Sequence, residues 1–187
     1  FVTFKNLNHQ DWRYSMLKEK SGKSYPLINF LGIHLFPTLI VYGVMLPIIL
    51  FLEGGFGTNI LDSFGKTALV ILGCSISLIA IFIQWRSDCQ MQAFRRDPNN
   101  KNKYITTGLW KYSRHPNYLG EIMMWWGVFI ATGLVNNSFL FIGPLANTLM
   151  FLFISIPMAE NRLKRYKEGY DEYIAEMKSM DPSLYIC

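Results

Sequence analysis

The sequence has little charge, and it lacks the residue patterns that build metal centres. Only 17% of its 187 residues are Asp, Glu, Lys or Arg, while 51% are hydrophobic. Soluble globular domains carry about 25% charged residues, so this balance argues against a water-soluble or disordered chain. The histidines His9, His34 and His115 are scattered along the chain, and we therefore expect no metal site.

Cysteine is also scarce, and its placement does not suggest a disulfide framework. Cys74 lies in an apolar run, Cys89 lies in a basic segment, and Cys187 is the last residue. The sequence contains no repeat, no low-complexity run and no glycine-rich phosphate loop. No nucleic-acid partner is expected.

Long apolar runs are what the sequence does contain. Four are long enough for a membrane span, which takes about 20 helical residues. They run approximately over residues 27–52, 67–85, 118–135 and 139–158. We predict an all-α fold: a polytopic transmembrane bundle of about four spans in a single membrane domain over residues 1–187. A buried helical core of a soluble protein is the alternative.

The formal charge of +5 lies entirely between Arg86 and His115, where seven basic residues meet two acidic ones. Lys and Arg are also frequent before the first span and after the fourth, whereas the other two connections hold only Lys66. The positive-inside rule then makes the loop 86–117, the tail 159–187 and both termini cytosolic. We expect a multi-pass integral protein of the endoplasmic reticulum membrane in a eukaryote, or of the inner membrane in a bacterium. The chain begins with Phe1 rather than Met, which leaves open whether N-terminal helices are missing.

Polar side chains line one face of the helix that continues out of the second span. Gln84, Asp88 and Arg95 are spaced so that they lie within about 40° of each other around the helix. Asp97-Pro98 should end that helix. The loop beyond carries further candidates, namely Lys103, Tyr104 and Trp110. Such loops ordinarily place their Lys and Arg among lipid headgroups, and this alternative stays open.

Pro116 predicts a helix start directly before the third span. The free backbone amides of that first turn, with Arg114 and His115 beside them, form a candidate phosphate site. Asn117 and Glu121 are four residues apart and share a face, and a carboxylate at this depth needs a partner. An Asn amide beside a carboxylate can bind a carboxamide such as that of nicotinamide. Alternatively, Glu121 pairs with Arg114 or with a neighbouring helix only to hold the bundle together.

The tail predicts a cytosolic amphipathic helix that begins at Glu160 and continues through Tyr170 and Tyr173. Its apolar residues recur at helical spacing and could pack on the bundle or at the interface. Arg162 lies in the first turn, close to the mouth of the bundle, and is a further candidate for phosphate binding.

Several motifs together resemble one family. They are Ser87-Asp88, Phe94-Arg95-Arg96-Asp97-Pro98, and the run from Thr107-Gly108-Leu109-Trp110 through Ser113-Arg114-His115-Pro116-Asn117 to Glu121. On these residues the chain is similar, over nearly its whole length, to DUF1295 proteins, a branch of the steroid 5-alpha-reductase-like membrane enzymes. That superfamily also includes sterol C14 reductases and the isoprenylcysteine and phospholipid methyltransferases.

The resemblance implies a reductase that holds NADPH from the cytosolic side and acts on an activated C=C bond of a lipid or steroid-like substrate. It implies contacts of Gln84, Asp88 and Arg95 with the adenosine and phosphate end, and of Asn117 and Glu121 with the nicotinamide. The expected cofactor ligands also include Lys103, Tyr104, Trp110, Arg114, His115 and Arg162. Glu121 and Tyr118 are the catalytic candidates, with Tyr14 as a further candidate proton donor.

Two other functions stay open. The related methyltransferases share the Arg-His-Pro core but use S-adenosylmethionine, and a non-catalytic scaffold could bind anionic lipid through the basic loop. The best-known reductases also have further N-terminal helices that polarise the substrate carbonyl, and the ending Asp181–Cys187 departs from their hydrophobic one. We expect membrane lipids and a lipid-soluble molecule as partners, but the sequence identifies neither the substrate nor the oligomeric state.

Overall fold

A computed structural model describes residues 12–54, 63–134 and 138–180, and every regular element in these ranges is helical. The all-α prediction is therefore confirmed for this part of the chain. The α-helices are α1 (Trp12–Ser21), α2 (Tyr25–Ile28), α3 (Phe36–Leu52), α4 (Ser63–Arg96), α5 (Pro116–Val128), α6 (Ile142–Met150), α7 (Ile156–Tyr166) and α8 (Tyr170–Met180). Wider π-helical turns extend three of these helices, over Asn29–Leu35, Phe129–Gly133 and Phe151–Ser155.

Three helical stretches are long and apolar enough to cross a membrane. They are Tyr14–Leu52, Phe64–Arg96 and Phe139–Tyr166, and they contain the predicted first, second and fourth spans. The predicted third span, residues 118–135, is helical from Pro116 to Gly133 but does not belong to this set. Three membrane-length helices are thus established, and the fourth crossing stays a prediction.

The chain divides into two compact units, Phe1–Tyr42 and Gly43–Cys187. In the described part of the first unit, the ring of Tyr14 lies 6.3 Å from that of His34. All of the other candidate site residues belong to the second unit.

Within the second unit, α4 and α5 run antiparallel and pack through small residues. A Cβ atom at Gly73 would overlap the backbone of Gly127 and Ala131, and one at Gly120 would lie 2.8 Å from the carbonyl oxygen of Ala80. Close approach of this kind is how helices associate within a membrane, where apolar side chains gain little by leaving lipid. It also brings the polar end of α4 against the first turns of α5.

The tail does not form one continuous helix, so that prediction is wrong. Helix α7 ends at Tyr166, and Gly169 has a φ of +73° before α8 begins at Tyr170. Glycine adopts this left-handed conformation at little cost, and it is the common residue just beyond a helix end. The break lets α8 turn back, so that Tyr170 and Tyr173 are buried rather than aligned with α7.

Candidate functional site

The predicted end of α4 and the predicted start of α5 are confirmed. Helix α4 continues unbroken through Arg96, and Asp97 then caps a short 3₁₀ turn, its Oδ1 accepting from the Asn99 amide at 2.9 Å. Pro116 is the first residue of α5, with His115 at the N-cap. The spacing of Gln84, Asp88 and Arg95 therefore translates into one helical face.

That face meets the start of α5. Gln84 packs against Gly120, where a Cβ atom would lie 3.0 Å from the Gln84 Cβ. One turn further along α4, the carboxylate of Asp88 accepts a hydrogen bond from the Asn117 side chain. The structure thus joins Asp88 to Asn117, two residues that the sequence placed on separate helices.

Asn117 and Glu121 present hydrogen-bond acceptors. The Asn117 amide uses its N–H on Asp88, whereas its Oδ1 is buried without a hydrogen-bond partner in the described part of the chain. Glu121 is half-buried, and the neighbouring charge that acts on it is the carboxylate of Asp88. A group that brings N–H donors to this place would therefore find two acceptors, Asn117 Oδ1 and the Glu121 carboxylate.

Basic residues cluster near the C-terminal end of α4. Arg95 acts electrostatically on Asp88 and also on Lys167, which follows α7. Burial, and secondly the Arg95 guanidinium, lower the pKa of Lys167. Lys103 and Arg162, the other two basic candidates outside the Arg114 motif, are exposed. Two cations that repel each other are a suitable setting for an anionic group.

Trp110 is buried and anchors the basic loop. Its indole Nε1 donates to the carbonyl of Ser87 at 3.1 Å, and its own carbonyl accepts from the Tyr173 hydroxyl at 3.2 Å. The Leu109 amide donates to Gln90 Oε1 at 3.0 Å, and Gly108 has a φ of +65° with no room for a Cβ atom against Gln90. The loop is thereby fixed between α4 and α8, and Trp110 acts as a support rather than as an exposed ligand.

Tyr104 is also engaged in packing. Its ring centroid lies 4.7 Å from that of Tyr173 and 5.6 Å from that of Tyr170. Burial raises the pKa of both Tyr170 and Tyr173, so these two phenols stay protonated above the pH at which tyrosine ordinarily ionises. Tyr104 thus helps to hold α8 against the loop.

Arg114 and His115 lie inside the protein, close to Glu160 of α7. Arg114 Nη1 forms an ion pair of 2.6 Å with Glu160 Oε1, and His115 Nε2 lies 3.4 Å from the same oxygen. The Arg114 and Glu160 side chains are only 8% and 15% exposed. Arg114 therefore pairs with Glu160 and not with Glu121, the alternative that the sequence left open.

Tyr118 occupies the next position toward the bundle interior. Its ring stacks on that of His115 at 5.2 Å and lies 4.9 Å from that of Phe151. The catalytic candidates Tyr118 and Glu121 are three residues apart on α5, and therefore neighbours about one turn apart on the helix surface. Tyr14 belongs to the other compact unit.

Sequence reasoning missed three residues that the structure brings forward. Glu160 meets Arg114, and Lys167 comes near Arg95, only through tertiary contacts. No local spacing in the sequence indicated either pairing. Asn147 is a polar residue in an apolar run, and that signal was available in the sequence. Its side chain is only 3% exposed.

The long apolar helices, with a polar cluster where α4 meets α5, define the class of the protein: a helical integral membrane protein. Within that class, the chain belongs to the DUF1295 family. The family's model, described as a protein of unknown function, matches residues 1–177, which confirms the resemblance seen in the sequence. No curated protein and no solved structure gives a significant match.

Proposed function

We propose that the protein is a membrane-embedded, NADPH-dependent reductase of an activated C=C bond in a lipid or steroid-like substrate. The observation that carries this proposal is the pair formed by Asn117 and Glu121. Both residues offer acceptors, at a depth where an unused polar group is costly.

The residues fit a nicotinamide carboxamide. Its NH2 group has two N–H donors, and Asn117 Oδ1 and the Glu121 carboxylate supply one acceptor each. Asp88 holds the Asn117 amide by its donor end, so that the oxygen is the atom left to bind. These side chains would fix which face of the nicotinamide ring is turned toward the substrate.

The cations at the end of α4 fit the phosphate groups of the same cofactor. NADPH carries about four negative charges on its pyrophosphate and 2′-phosphate, and Arg is suited to binding such groups. Arg95 and Lys167 stand close enough to repel each other, and an anion between them would remove that repulsion. Exposed Lys103 and Arg162 extend the positive surface.

NADPH, when bound, supplies a hydride, which would add to the β carbon of the activated bond while a proton reaches the α carbon. The Tyr118 hydroxyl or a water molecule is the proposed proton source, Tyr118 being the candidate acid closest in sequence to the acceptor pair. The His115 ring stacked on Tyr118 holds it in a fixed orientation.

A methyltransferase that uses S-adenosylmethionine is the second candidate. The carboxylates of Asp88 and Glu121, which stand near each other, would also suit the ammonium group of that molecule. S-adenosylmethionine has no phosphate, however, so it offers no anionic group to offset the repulsion between Arg95 and Lys167. This difference favours NADPH.

Binding titrations of the purified protein decide between the candidates. We expect NADPH to bind and S-adenosylmethionine not to bind. Glu121→Gln should weaken NADPH binding roughly 10- to 100-fold, because it removes a charged acceptor. The matched control is Glu19→Gln, at an exposed carboxylate of α1, which should leave the affinity unchanged.

Each other outcome has a definite meaning. Binding of S-adenosylmethionine alone would replace the reductase by the methyltransferase, and binding of neither would favour a scaffold for anionic lipid. An unchanged NADPH affinity in Glu121→Gln would remove that residue from the site.

A further inference from the structure

Asn147 is a buried polar residue that the proposed cofactor site does not use. It lies in α6, within the apolar helical stretch Phe139–Tyr166, and its side chain is 3% exposed. Its amide nitrogen, Nδ2, has no hydrogen-bond acceptor in the described part of the chain. Thr148, the other polar side chain of α6, is satisfied: it donates to the Pro144 carbonyl at 2.8 Å and accepts from Trp126 Nε1 at 3.0 Å.

An unused amide donor in this setting calls for an explanation. The hydrocarbon region of a membrane offers no water to satisfy it, and most buried polar groups in proteins have a partner. A leucine of similar volume would avoid the cost altogether. The donor is therefore best understood as the binding group for an acceptor that enters the bundle.

The neighbours of Asn147 show which part of the bundle it serves. One turn further on, Phe151 packs against Ile122 and lies 4.9 Å from the ring of Tyr118. Thr148, which follows Asn147 in sequence, accepts a hydrogen bond from Trp126. Asn147 thus lies beside the face of α5 that bears Tyr118, Ile122 and Trp126.

The level of Asn147 in the bundle follows from these contacts. Trp126 lies five residues beyond Glu121 on α5, which is roughly 7.5 Å along the helix axis. Asn147, whose neighbour Thr148 meets Trp126, therefore lies at about this distance from the level of Glu121 along the bundle, and further from the level of Asn117.

We propose that Asn147 Nδ2 donates a hydrogen bond to the carbonyl oxygen of a ketone-bearing lipid held in the bundle. That this lipid is a substrate rests on the proposed reductase function, whereas its binding to Asn147 does not. In an enone, a hydrogen bond to the carbonyl oxygen draws electrons from the C=C bond and makes its β carbon more electrophilic. Asn147 would thus be a substrate-binding residue that also selects for a carbonyl group.

A double cycle of protein and ligand variants tests this hydrogen bond. The probes are cholest-4-en-3-one and cholest-4-ene, which differ in the ketone oxygen, and their dissociation constants are measured by microscale thermophoresis without NADPH. The full-chain protein is compared with Asn147→Leu and Asn147→Ala. The control is Asn161→Leu, at an exposed asparagine of α7.

We expect the unaltered protein and Asn161→Leu to prefer the ketone by about tenfold. Both Asn147 variants should lose this preference and bind the two probes within about a factor of two. A preference that survives in the Asn147 variants, or one that is absent from the unaltered protein, would overturn the proposal. A purely structural role for Asn147 would shift the affinities for both probes equally, and that result also overturns it.

The two proposals fail separately. If the ketone preference depends on Asn147 while NADPH does not bind, the reductase fails and the carbonyl site stands. If NADPH binds and the preference is independent of Asn147, the carbonyl site fails and the reductase stands.

Discussion

Arg114 directs its charge into the protein rather than toward its surface. Its partner Glu160 is largely buried, and the ring of His115 lies against the same carboxylate. A buried ion pair adds little stability beyond what an apolar pair would, but the loss of one partner leaves an uncompensated charge. The pair therefore acts as a link that holds the Arg-His-Pro segment onto α7.

We expect Glu160→Gln to destabilise the protein by about 3 kcal/mol, because Arg114 would be left buried without its counter-charge. Thermal unfolding in detergent measures this as a lower midpoint temperature. The control is Asp171→Asn, which breaks the pair of 2.6 Å between Lys164 and Asp171, whose side chains are 39% and 70% exposed. An exposed pair of this kind contributes about 1 kcal/mol or less. Equal losses in the two variants would mean that the charge of Arg114 is balanced elsewhere.

At the scale of elements, the α4 and α5 pair positions the site. Gly73, Ser77, Ala80 and Gln84 recur at spacings of four and three residues, which is the spacing of a helix contact face. The facing residues on α5 include Gly120, Gly127 and Ala131. Because backbone lies against backbone, Asp88 reaches Asn117 on the next helix, and a shift of either helix would separate them.

Gly127→Ala tests this dependence on close packing. Its new Cβ atom would overlap Ser77 Oγ and lie 2.7 Å from the carbonyl oxygen of Gly73, and overpacking of this kind costs about 1–3 kcal/mol. We expect a lower unfolding midpoint together with weaker NADPH binding. The control is Gly32→Ala, where no atom lies within 4 Å of the added Cβ and neither quantity should fall. A lower midpoint with unchanged NADPH affinity would show that the site does not depend on this helix contact.

At the scale of the whole second unit, the basic loop and the tail lie at the same end of the bundle. The Tyr173 hydroxyl donates a hydrogen bond to the Trp110 carbonyl, and Glu160 pairs with Arg114. The chain that runs away from this end through α5 must therefore return to it before Glu160. The stretch Phe139–Tyr166 is long enough to be one crossing. Two contacts on the same side of a membrane require an even number of crossings between them. This requirement favours Pro116–Gly133 as the second crossing.

Cysteine labelling tests this topology in a background that lacks Cys74, Cys89 and Cys187. Single cysteines replace Lys111 in the loop and Leu134 just beyond Gly133, both of which are exposed. A membrane-impermeant maleimide should label Lys111→Cys only in inverted vesicles and Leu134→Cys only in right-side-out vesicles. Lys101→Cys, elsewhere in the loop, should behave like Lys111→Cys. Labelling of Leu134→Cys from the loop side would show that α5 turns back without crossing.

Much of this architecture could be predicted from sequence because it depends on local rules. The length of the apolar runs, the start of α5 at Pro116 and the turn at Asp97 follow from helix geometry and proline stereochemistry. The grouping of Asp88 with Arg95 followed from the same periodicity. The prediction of a continuous tail helix is wrong because the chain at Gly169 adopts a left-handed φ that ends the helical run, and glycine is the residue type that signals such an end.

By itself, the sequence determined which residues form helices, which side chains share a face and where the positive charge lies along the chain. Only the tertiary structure decided what those faces meet: Arg114 pairs with Glu160, Asn117 with Asp88, and Trp110 with Ser87 and Tyr173. Helical periodicity sets the direction of a side chain around its own axis, whereas its partner depends on how helices distant in sequence pack. Within the described residues, that packing left Asn117 Oδ1 and Asn147 Nδ2 buried without hydrogen-bond partners, and these two atoms carry the functional proposals.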